Sequence, residues 1–398
     1  MEMKLRKLLP LVGAVCLGLT GSAFAHTNNQ NGNGSSTYGS SMDSSSSQGT
    51  YQRGTFREIT PNAGPRVAHG ADVFITADFI WWKATEEGME YGLSGYNGGR
   101  PASGDPAVIF TAAQKGKNKS VGEDWAPGFK VGLGLNLAHD GWDLYTQYTW
   151  LHASDSNSLS RSPEGVALAE VLPFEDGPSF SGDKASSKWD MHFNVIDLEL
   201  GRNFYLSQFL TMRPHIGLKA TWQDHDWKTR LTRTDGRTFS ISYDDANGNT
   251  SNFPASGPVR LNKKYDVWGI GVRGGLNVSW YMSKSWSIYG DVAFTSMWTN
   301  YHKQTQYLAL DDTSTGTKRT REYLNTDNDN IYTCKYIAEL ELGLRWQTWF
   351  YDDNYHFSVQ AGWEQQVWIN WSKFAEALDE VSHDLALQGL NIKFRFDF

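Results

Sequence analysis

The feature that most constrains the fold of this chain is a period-two alternation of apolar and polar residues that recurs from Ala71 to Phe398. Successive side chains of a β-strand point to opposite faces, so this period predicts strands with one apolar and one polar face. Within residues 189–202 the phase slips between Val195 and Ile196, which predicts a β-bulge. Ten runs carry the pattern strongly, at residues 73–81, 129–137, 142–150, 189–202, 210–222, 268–280, 286–298, 335–346, 355–364 and 390–398.

The connections between these runs alternate in length. Short turns lie at residues 138–141, 203–209, 282–285 and 348–354, and long polar loops at 84–127, 152–187, 223–264, 299–331 and 370–383. This alternation predicts an all-β fold, a transmembrane antiparallel up-and-down β-barrel with short periplasmic turns and long extracellular loops. A two-layer soluble sandwich would not separate its connections by length. About ten strands are expected, and 12–16 stay open because residues 166–172 and 238–243 could be further strands.

The spacing of aromatic residues along the predicted strands tests whether the barrel has the height of a membrane. The chain has 17 Trp, 18 Tyr and 20 Phe beside 39 Gly, and beyond residue 25 no apolar run reaches the roughly 18 residues of a membrane helix. Matched tryptophans stand twelve positions apart on two neighbouring runs, which is about 40 Å along a strand and roughly 30 Å of height after tilting. The predicted interfacial girdle consists of Trp142, Trp150, Trp268, Trp280, Trp286 and Trp298.

The N-terminal region precedes the barrel pattern. Residues 1–25 have a basic start, an apolar stretch and the small-x-small sequence Ala23–Ala25, which predicts a signal peptide. Residues 26–69 are rich in Asn, Gly and Ser and are predicted to be disordered. The barrel is then expected over residues 70–398. Export through the periplasm to the outer membrane of a Gram-negative-type bacterium follows from this order.

Charged residues occupy the polar face of the predicted strands. A basic residue facing lipid costs about 2–4 kcal/mol at mid-depth, so these side chains are expected to face the lumen. There they either pair and plug a narrow barrel or flank a water-filled path and set its selectivity. The pore-lining candidates are Lys130, Arg213, His215, Lys219, Arg273, Asp291, Lys335, Glu339, Glu341, Arg345, Glu364, Lys393 and Arg395.

Five segments are similar to the pore-forming Legionella-type major outer membrane proteins and their counterparts in chlamydia-related bacteria. They are residues 75–84, 197–206, 213–217, 364–368 and 387–398. The resemblance implies a porin-type function, and sixteen strands are usual for such porins. Chlamydial members are rich in cysteine, whereas Cys334 is the one cysteine beyond residue 25, so a disulfide-linked envelope network is not expected. The terminal Phe398, with apolar residues at alternate positions before it, matches the signal that the barrel-assembly machinery recognises.

The sequence therefore favours passive diffusion of small hydrophilic solutes and ions. The alternative is a non-conducting structural or adhesive barrel that acts through its long surface loops. The expected partners are outer-membrane lipid, the barrel-assembly machinery and small solutes, and a homo-oligomer stays open. A net charge of −8 argues against a nucleic-acid partner.

Some short motifs match those of cofactor-binding proteins or enzymes, but a structural role explains them better. Residues 269–274 spell Gly-x-Gly-x-x-Gly, but the strand alternation continues through them to Trp280, so the helix that a dinucleotide requires cannot begin there. Small residues on the inner wall are the expected reason. The acid–histidine groups at 224–226 and 383–384 lie in predicted outer loops, where solvated charge is the default. No enzyme activity, cofactor or metal is expected.

Overall fold

The computed structural model of the protein describes thirteen stretches of the chain. They are residues 63–67, 72–96, 117–137, 140–160, 166–168, 181–182, 184–232, 239–244, 250–255, 257–312, 319–328, 330–374 and 382–398. The predicted signal peptide and most of the predicted disordered segment lie outside these stretches. Within them, no helix combines the length and apolar character needed to cross a membrane.

The described secondary structure consists of strands. In chain order they are β1 (Val73–Glu86), β2 (Glu90–Tyr96), β3 (Lys117–Ser120), β4 (Trp125–Asn136), β5 (Trp142–Ser160), β6 (Val166–Leu168), β7 (Ser181–Gly182), β8 (Lys184–Arg202), β9 (Phe204–Tyr205), β10 (Leu210–Thr232), β11 (Phe239–Asp244), β12 (Thr250–Ala255), β13 (Val259–Tyr281), β14 (Trp286–Asp312), β15 (Arg319–Asn328), β16 (Ile331–Phe350), β17 (Tyr355–Ser372) and β18 (His383–Asp397).

Ten of these strands form a closed antiparallel barrel. The order around it is β1-β4-β5-β8-β10-β13-β14-β16-β17-β18, and pairing of β1 with β18 closes the ring. Each barrel strand pairs with the preceding and the following barrel strand along the chain, so the topology is an up-and-down meander. The backbone amides of Val73 and Phe398 each donate to the other residue's carbonyl, at 3.2 and 3.0 Å, and seal the junction at the short-turn end.

The remaining strands lie outside the ring. A small sheet has the order β3-β2-β6-β7, β11 pairs with β12, β15 extends the sheet beside β14, and the two-residue β9 pairs with β10. The two segments that the sequence left open as further strands, residues 166–172 and 238–243, overlap β6 and β11. Neither of these strands joins the barrel. The described barrel therefore has ten strands, and the alternative of 12–16 is not realised.

The outer face of the barrel carries a broad apolar band. Leu133, Ile216, Val272, Val292 and Leu342 are each 53–60% exposed, and a soluble protein does not leave so many large apolar residues on one contiguous surface. All six tryptophans predicted for the girdle point outward. Trp142, Trp280 and Trp286 lie at the short-turn end, and Trp150, Trp268 and Trp298 lie toward the long-loop end.

Two predictions about the strands are wrong. The β5–β8 and β8–β10 registers run without a shift, so β8 has no bulge; its apparent phase slip arises because Met191, Phe193 and Val195 are apolar and face inward. Much of what was expected to be loop is strand, because β10 runs on to Thr232 and β14 to Asp312. The barrel wall thus continues well beyond the outer tryptophans.

Candidate functional site: a charged chamber below an apolar layer

The inward face of the barrel has two regions of different chemistry. Toward the short turns it encloses a cavity of about 790 Å³, bordered by charged side chains and reaching the short-turn residues Gln208, Ser283 and Lys284. We call this cavity the chamber. Residues 63–65 also border it, and the Asn136 side chain donates to the Pro65 carbonyl at 3.3 Å. This part of the predicted disordered segment thus lies against the barrel mouth.

One wall of the chamber is an ion-pair network centred on two arginines. Arg213 on β10 contacts Asp143 at 2.6 Å and Glu199 at 3.0 Å. Arg273 on β13 contacts Glu199 at 3.1 Å and also pairs with Glu339. Because the same carboxylate bridges both guanidinium groups, the network holds strands β5, β8, β10, β13 and β16 around the cavity.

The ion pairs also reach across the cavity. Lys219 contacts Asp197 on the adjacent β8 at 2.9 Å and Glu339 on β16 at 2.8 Å. Lys130 on β4 contacts Glu364 on β17 at 2.6 Å. Since β4 and β17 are three strands apart in the ring, this pair narrows the upper part of the chamber.

Other basic groups of the chamber have fewer acidic partners than Arg213 and Arg273. Arg345 donates to Ser279 Oγ at 3.1 Å and lies over the ring of Tyr289, and its Nε has no hydrogen-bond partner among the described residues. The Nε2 of His215 lies 3.5 Å from Glu199. Arg395 pairs with Asp397 at 2.6 Å. Arg345 therefore differs from the other arginines named here, because the partners described for it are a hydroxyl and an aromatic ring rather than a carboxylate.

Above the chamber the inward positions become apolar. We call this region the apolar layer and define it by Ile80, Trp82, Leu151, Met191, Phe193, Val267, Met297, Ile337, Trp368, Leu385 and Leu387. All of these side chains are at most 1% exposed. Strand β10 instead supplies the buried Thr221 and Gln223 at this level. The layer continues upward into a cluster that includes Trp189, Tyr265 and Trp371.

Contacts within the apolar layer span the full width of the barrel. The rings of Phe193 on β8 and Trp368 on β17 meet edge to face with centroids 5.3 Å apart. These strands are five positions apart in either direction around the ten-strand ring, so they are diametrically opposite. At that point the two side chains span the lumen and narrow it.

A buried carboxylate ties the region above this contact together. Glu86 on β1 accepts hydrogen bonds from Trp189 Nε1 at 2.8 Å and from the Tyr265 hydroxyl at 2.7 Å, and His225 Nδ1 lies 3.2 Å away. Tyr265 on β13 is again diametrically opposite β1. We call these four residues the Glu86 hub; it supplies the polar partners that a buried carboxylate requires.

The Glu86 hub lies beyond the outward-facing Trp81, on the long-loop side. Burial raises the pKa of Glu86, but the neighbouring His225 and the hydrogen bonds from His225 and Tyr265 together hold that pKa below its ordinary value. Glu86 therefore stays ionised at neutral pH although its side chain is inaccessible to solvent.

The chamber contains most of the predicted pore-lining residues. Lys130, Arg213, His215, Lys219, Arg273, Asp291, Glu339, Glu341, Arg345, Glu364, Lys393 and Arg395 all border it. Lys335 does not: it is buried, bonds to the Asn370 carbonyl and lies over the Tyr301 ring. The sequence predicted that Lys335 faces inward but not its height in the barrel, because a period-two alternation shows which face of the sheet a residue occupies and not its position along the barrel axis.

Several functional residues were missed. Asp197 and Glu199 border the chamber, and Asp78 and Asp143 pair with its basic residues. All four occupy inward positions of strands that the sequence already indicated. Extending the alternation through each run without a slip would have found them.

The motifs interpreted structurally have simple roles. Residues 269–274 lie in the middle of β13, and a Cβ at Gly271 would stand 2.3 Å from the carbonyl oxygen of Ser296 on β14, so close strand approach requires glycine there. The acid–histidine groups lie in strands β10 and β18 rather than in loops. Asp224 and Asp226 face outward while His225 faces inward, so the three side chains do not converge.

Comparison with protein-family models identifies one matching family. The family model described as the Legionella pneumophila major outer membrane protein precursor matches residues 65–398. No curated protein matches the sequence.

Solved outer-membrane barrels are similar at low identity. The outer membrane protease OmpT of Escherichia coli is 11% identical over 82% of this chain and 96% of its own, with a TM-score of 0.33. A Pseudomonas aeruginosa FadL homologue is 9% identical over 82% and 89%, with a TM-score of 0.27. The Yersinia pestis protein Ail is 8% identical over 82% and 99%, with a TM-score of 0.19. TM-scores this low support no inference about function.

Proposed function

This chain belongs to the family of the Legionella pneumophila major outer membrane protein, and from that premise we propose that it is a channel for small hydrophilic solutes and ions. The chamber serves as its vestibule and the apolar layer as its constriction. Transport is passive and has no chemical step. The sequence resemblance to pore-forming members of the family supports this function.

The observation that carries the proposal is the chamber itself. A lumen that only stabilised the barrel would be filled by its side chains, as eight-stranded barrels are. Here about 790 Å³ stays open between charged walls. Mixed charge gives a small ion or polar solute partners at each step without holding it in one deep site.

Current measurement tests the channel. Refolded protein in a planar bilayer is expected to give discrete, reproducible conductance steps. An Arg345→Glu substitution at the chamber mouth is expected to shift the reversal potential toward cation selectivity, whereas Lys303→Glu, on an exposed residue of β14, makes the same charge change outside the chamber and is expected to leave it unchanged. Silence from folded protein, or equal shifts from both variants, would reject a path through the chamber.

A non-conducting structural or adhesive barrel is the second candidate. The Phe193–Trp368 contact favours it, because it closes the lumen across a full diameter. Wild-type silence combined with currents from a variant that lacks both rings would support this alternative.

Two further parts of the proposal concern biogenesis. Residues 1–25 direct export, and the last strand with Phe398 is recognised by the barrel-assembly machinery. Removal of Phe398 is expected to lower the amount of protein in the outer membrane, as measured by fractionation, and unchanged amounts would contradict that role.

A further inference from the structure

Two histidines and an aspartate meet on the outer surface of the barrel, away from the lumen. His152 on β5 is the direct cross-strand partner of His192 on β8. Asp190 precedes His192 by two residues and therefore points to the same face. His152 follows the girdle residue Trp150 by two positions, so the cluster lies at the long-loop edge of the apolar band.

The separations within the cluster suit a shared cation. His152 Nε2 lies 3.2 Å from one Asp190 carboxylate oxygen, and His192 Nδ1 lies 3.5 Å from the other. One ligand atom from each of the three residues lies within 4.8 Å of the other two. Tetrahedral Zn²⁺ with bonds of about 2.0–2.1 Å places its ligand atoms roughly 3.3 Å from one another. The two histidine nitrogens thus lie near different oxygens of one carboxylate, each at close to the spacing that Zn²⁺ requires between a pair of its ligands.

The backbone fixes this arrangement. The two imidazole rings stack with centroids 4.3 Å apart and an interplanar angle of 15°, and the continuous β5–β8 register holds their Cα atoms opposite each other. Both rings are partly exposed, with side chains 40% and 38% accessible. An ion can therefore reach them from solvent, and a modest rotation of each ring brings the nitrogen lone pairs together.

The adjacent strand adds negative charge. In the β8–β10 register, Asp224 is the partner of His192 and Asp226 is the partner of Asp190. Asp226 pairs with Lys228 at 2.5 Å, and Asp224 is the acidic residue opposite His192. Two imidazoles and a carboxylate with a solvent-accessible fourth position form a donor set typical of zinc.

We propose that His152, Asp190 and His192 form a surface binding site for a divalent transition-metal ion, with Zn²⁺ the best match to the donor set. The bound ion joins β5 to β8 where the barrel wall leaves the apolar band. The site is independent of the chamber and of any solute that passes through it.

Calorimetric titration of the untagged, refolded protein with zinc chloride tests the site. One saturable Zn²⁺ per barrel is expected. His152→Ala and His192→Ala are each expected to weaken binding by at least about tenfold, since even the loss of a supporting residue commonly weakens a metal site by 10–100-fold. Asp190→Asn removes the charge at constant shape and is expected to weaken binding as well.

His302→Ala is the matched control. His302 is also partly exposed and lies 3.9 Å from a carboxylate, that of Asp266, but it is not part of the cluster. Its removal is expected to leave Zn²⁺ affinity unchanged. Equal affinities for wild type, His152→Ala and His192→Ala would overturn the proposal, as would the absence of saturable binding.

Co²⁺ gives a readout that does not depend on affinity alone. Bound in place of Zn²⁺, it is expected to show the strong visible absorption of tetrahedral coordination, and the band is expected to disappear in the His192→Ala variant. Far-ultraviolet circular dichroism of each variant confirms that the barrel has folded. A band that persists without His192 would contradict the assigned ligands.

Discussion

The chamber and the apolar layer are built from the same ten strands and the same inward positions, yet one encloses an open cavity and the other is filled by side chains. On β5 the change takes six residues, from Gln147 at the chamber to Ala153, which is 1% exposed. Charged groups below pair both along the wall and across part of the cavity, whereas aromatic rings above meet across the full diameter. The inner face of an outer-membrane barrel is thus not uniformly polar, and its closure is a local property.

The largest expected effect comes from removing the contact across the diameter. The double variant Phe193→Ala, Trp368→Ala is expected to raise single-channel conductance severalfold, because it deletes the two rings that close the lumen. Loss of each large buried ring also costs about 3–5 kcal/mol of unfolding free energy. Single-channel recording in a planar bilayer measures the conductance, and heat denaturation in micelles measures the loss of stability.

Phe129→Ala is the control for that variant, because Phe129 faces outward and is 42% exposed. It deletes a ring of the same kind without entering the lumen, and its conductance is expected to match wild type. If the double variant also matches wild type, the apolar layer does not limit the current.

The next largest effect is expected at Glu86, the buried carboxylate that joins strands above the apolar layer. Glu86→Gln is expected to lower the free energy of unfolding by about 3 kcal/mol, because His225 and two hydrogen-bond donors lose their buried charged partner. Glu87→Gln changes an exposed neighbour and is expected to have almost no effect. Denaturant titration in micelles measures both, and similar losses from the two variants would show that the Glu86 hub contributes little.

The same substitution in the chamber is expected to matter less. Glu199→Gln removes the carboxylate between Arg213 and Arg273, but the chamber admits water, so a loss of about 1.5 kcal/mol is expected. The loss of one negative charge between two arginines is also expected to move selectivity toward anions, as a reversal-potential measurement would show. If Glu199→Gln lowered the free energy of unfolding as much as Glu86→Gln does, the chamber and the Glu86 hub would not differ in their access to water.

Acid is expected to act most weakly, and at the Glu86 hub. The pKa of Glu86 lies below its ordinary value of 4.5, so its ionised form favours folding above pH 4.5 and that contribution is lost as pH falls through the lowered pKa. The melting temperature of wild type is therefore expected to fall faster below pH 4.5 than that of Glu86→Gln. Parallel pH profiles would contradict this assignment.

The sequence predicted the barrel, its ten strands and the outward tryptophans, because period two reports directly which face a residue occupies. It could not predict the apolar layer. On β8 the inward Met191, Phe193 and Val195 are indistinguishable by pattern from lipid-facing residues, and the alternation was therefore interpreted as slipping.

Depth and pairing were equally hidden. Lys335 and Lys130 both alternate with apolar neighbours, yet one lies beside Tyr301 and the other in the chamber. Glu86 and Tyr265 are far apart in sequence and meet only because β1 and β13 are opposite in the closed ring. Such contacts follow from strand order and shear, which residue spacing alone does not specify.

The division of the lumen is tested most directly by thiol labelling at two positions of one strand. In a Cys334→Ser background, Gln147→Cys and Ala153→Cys place single thiols on the inward face of β5, in the chamber and in the dry region above it. A water-soluble maleimide is expected to label the first in the folded protein and the second only after denaturation. Equal labelling of both in the folded barrel would contradict an apolar layer packed tightly enough to exclude the reagent.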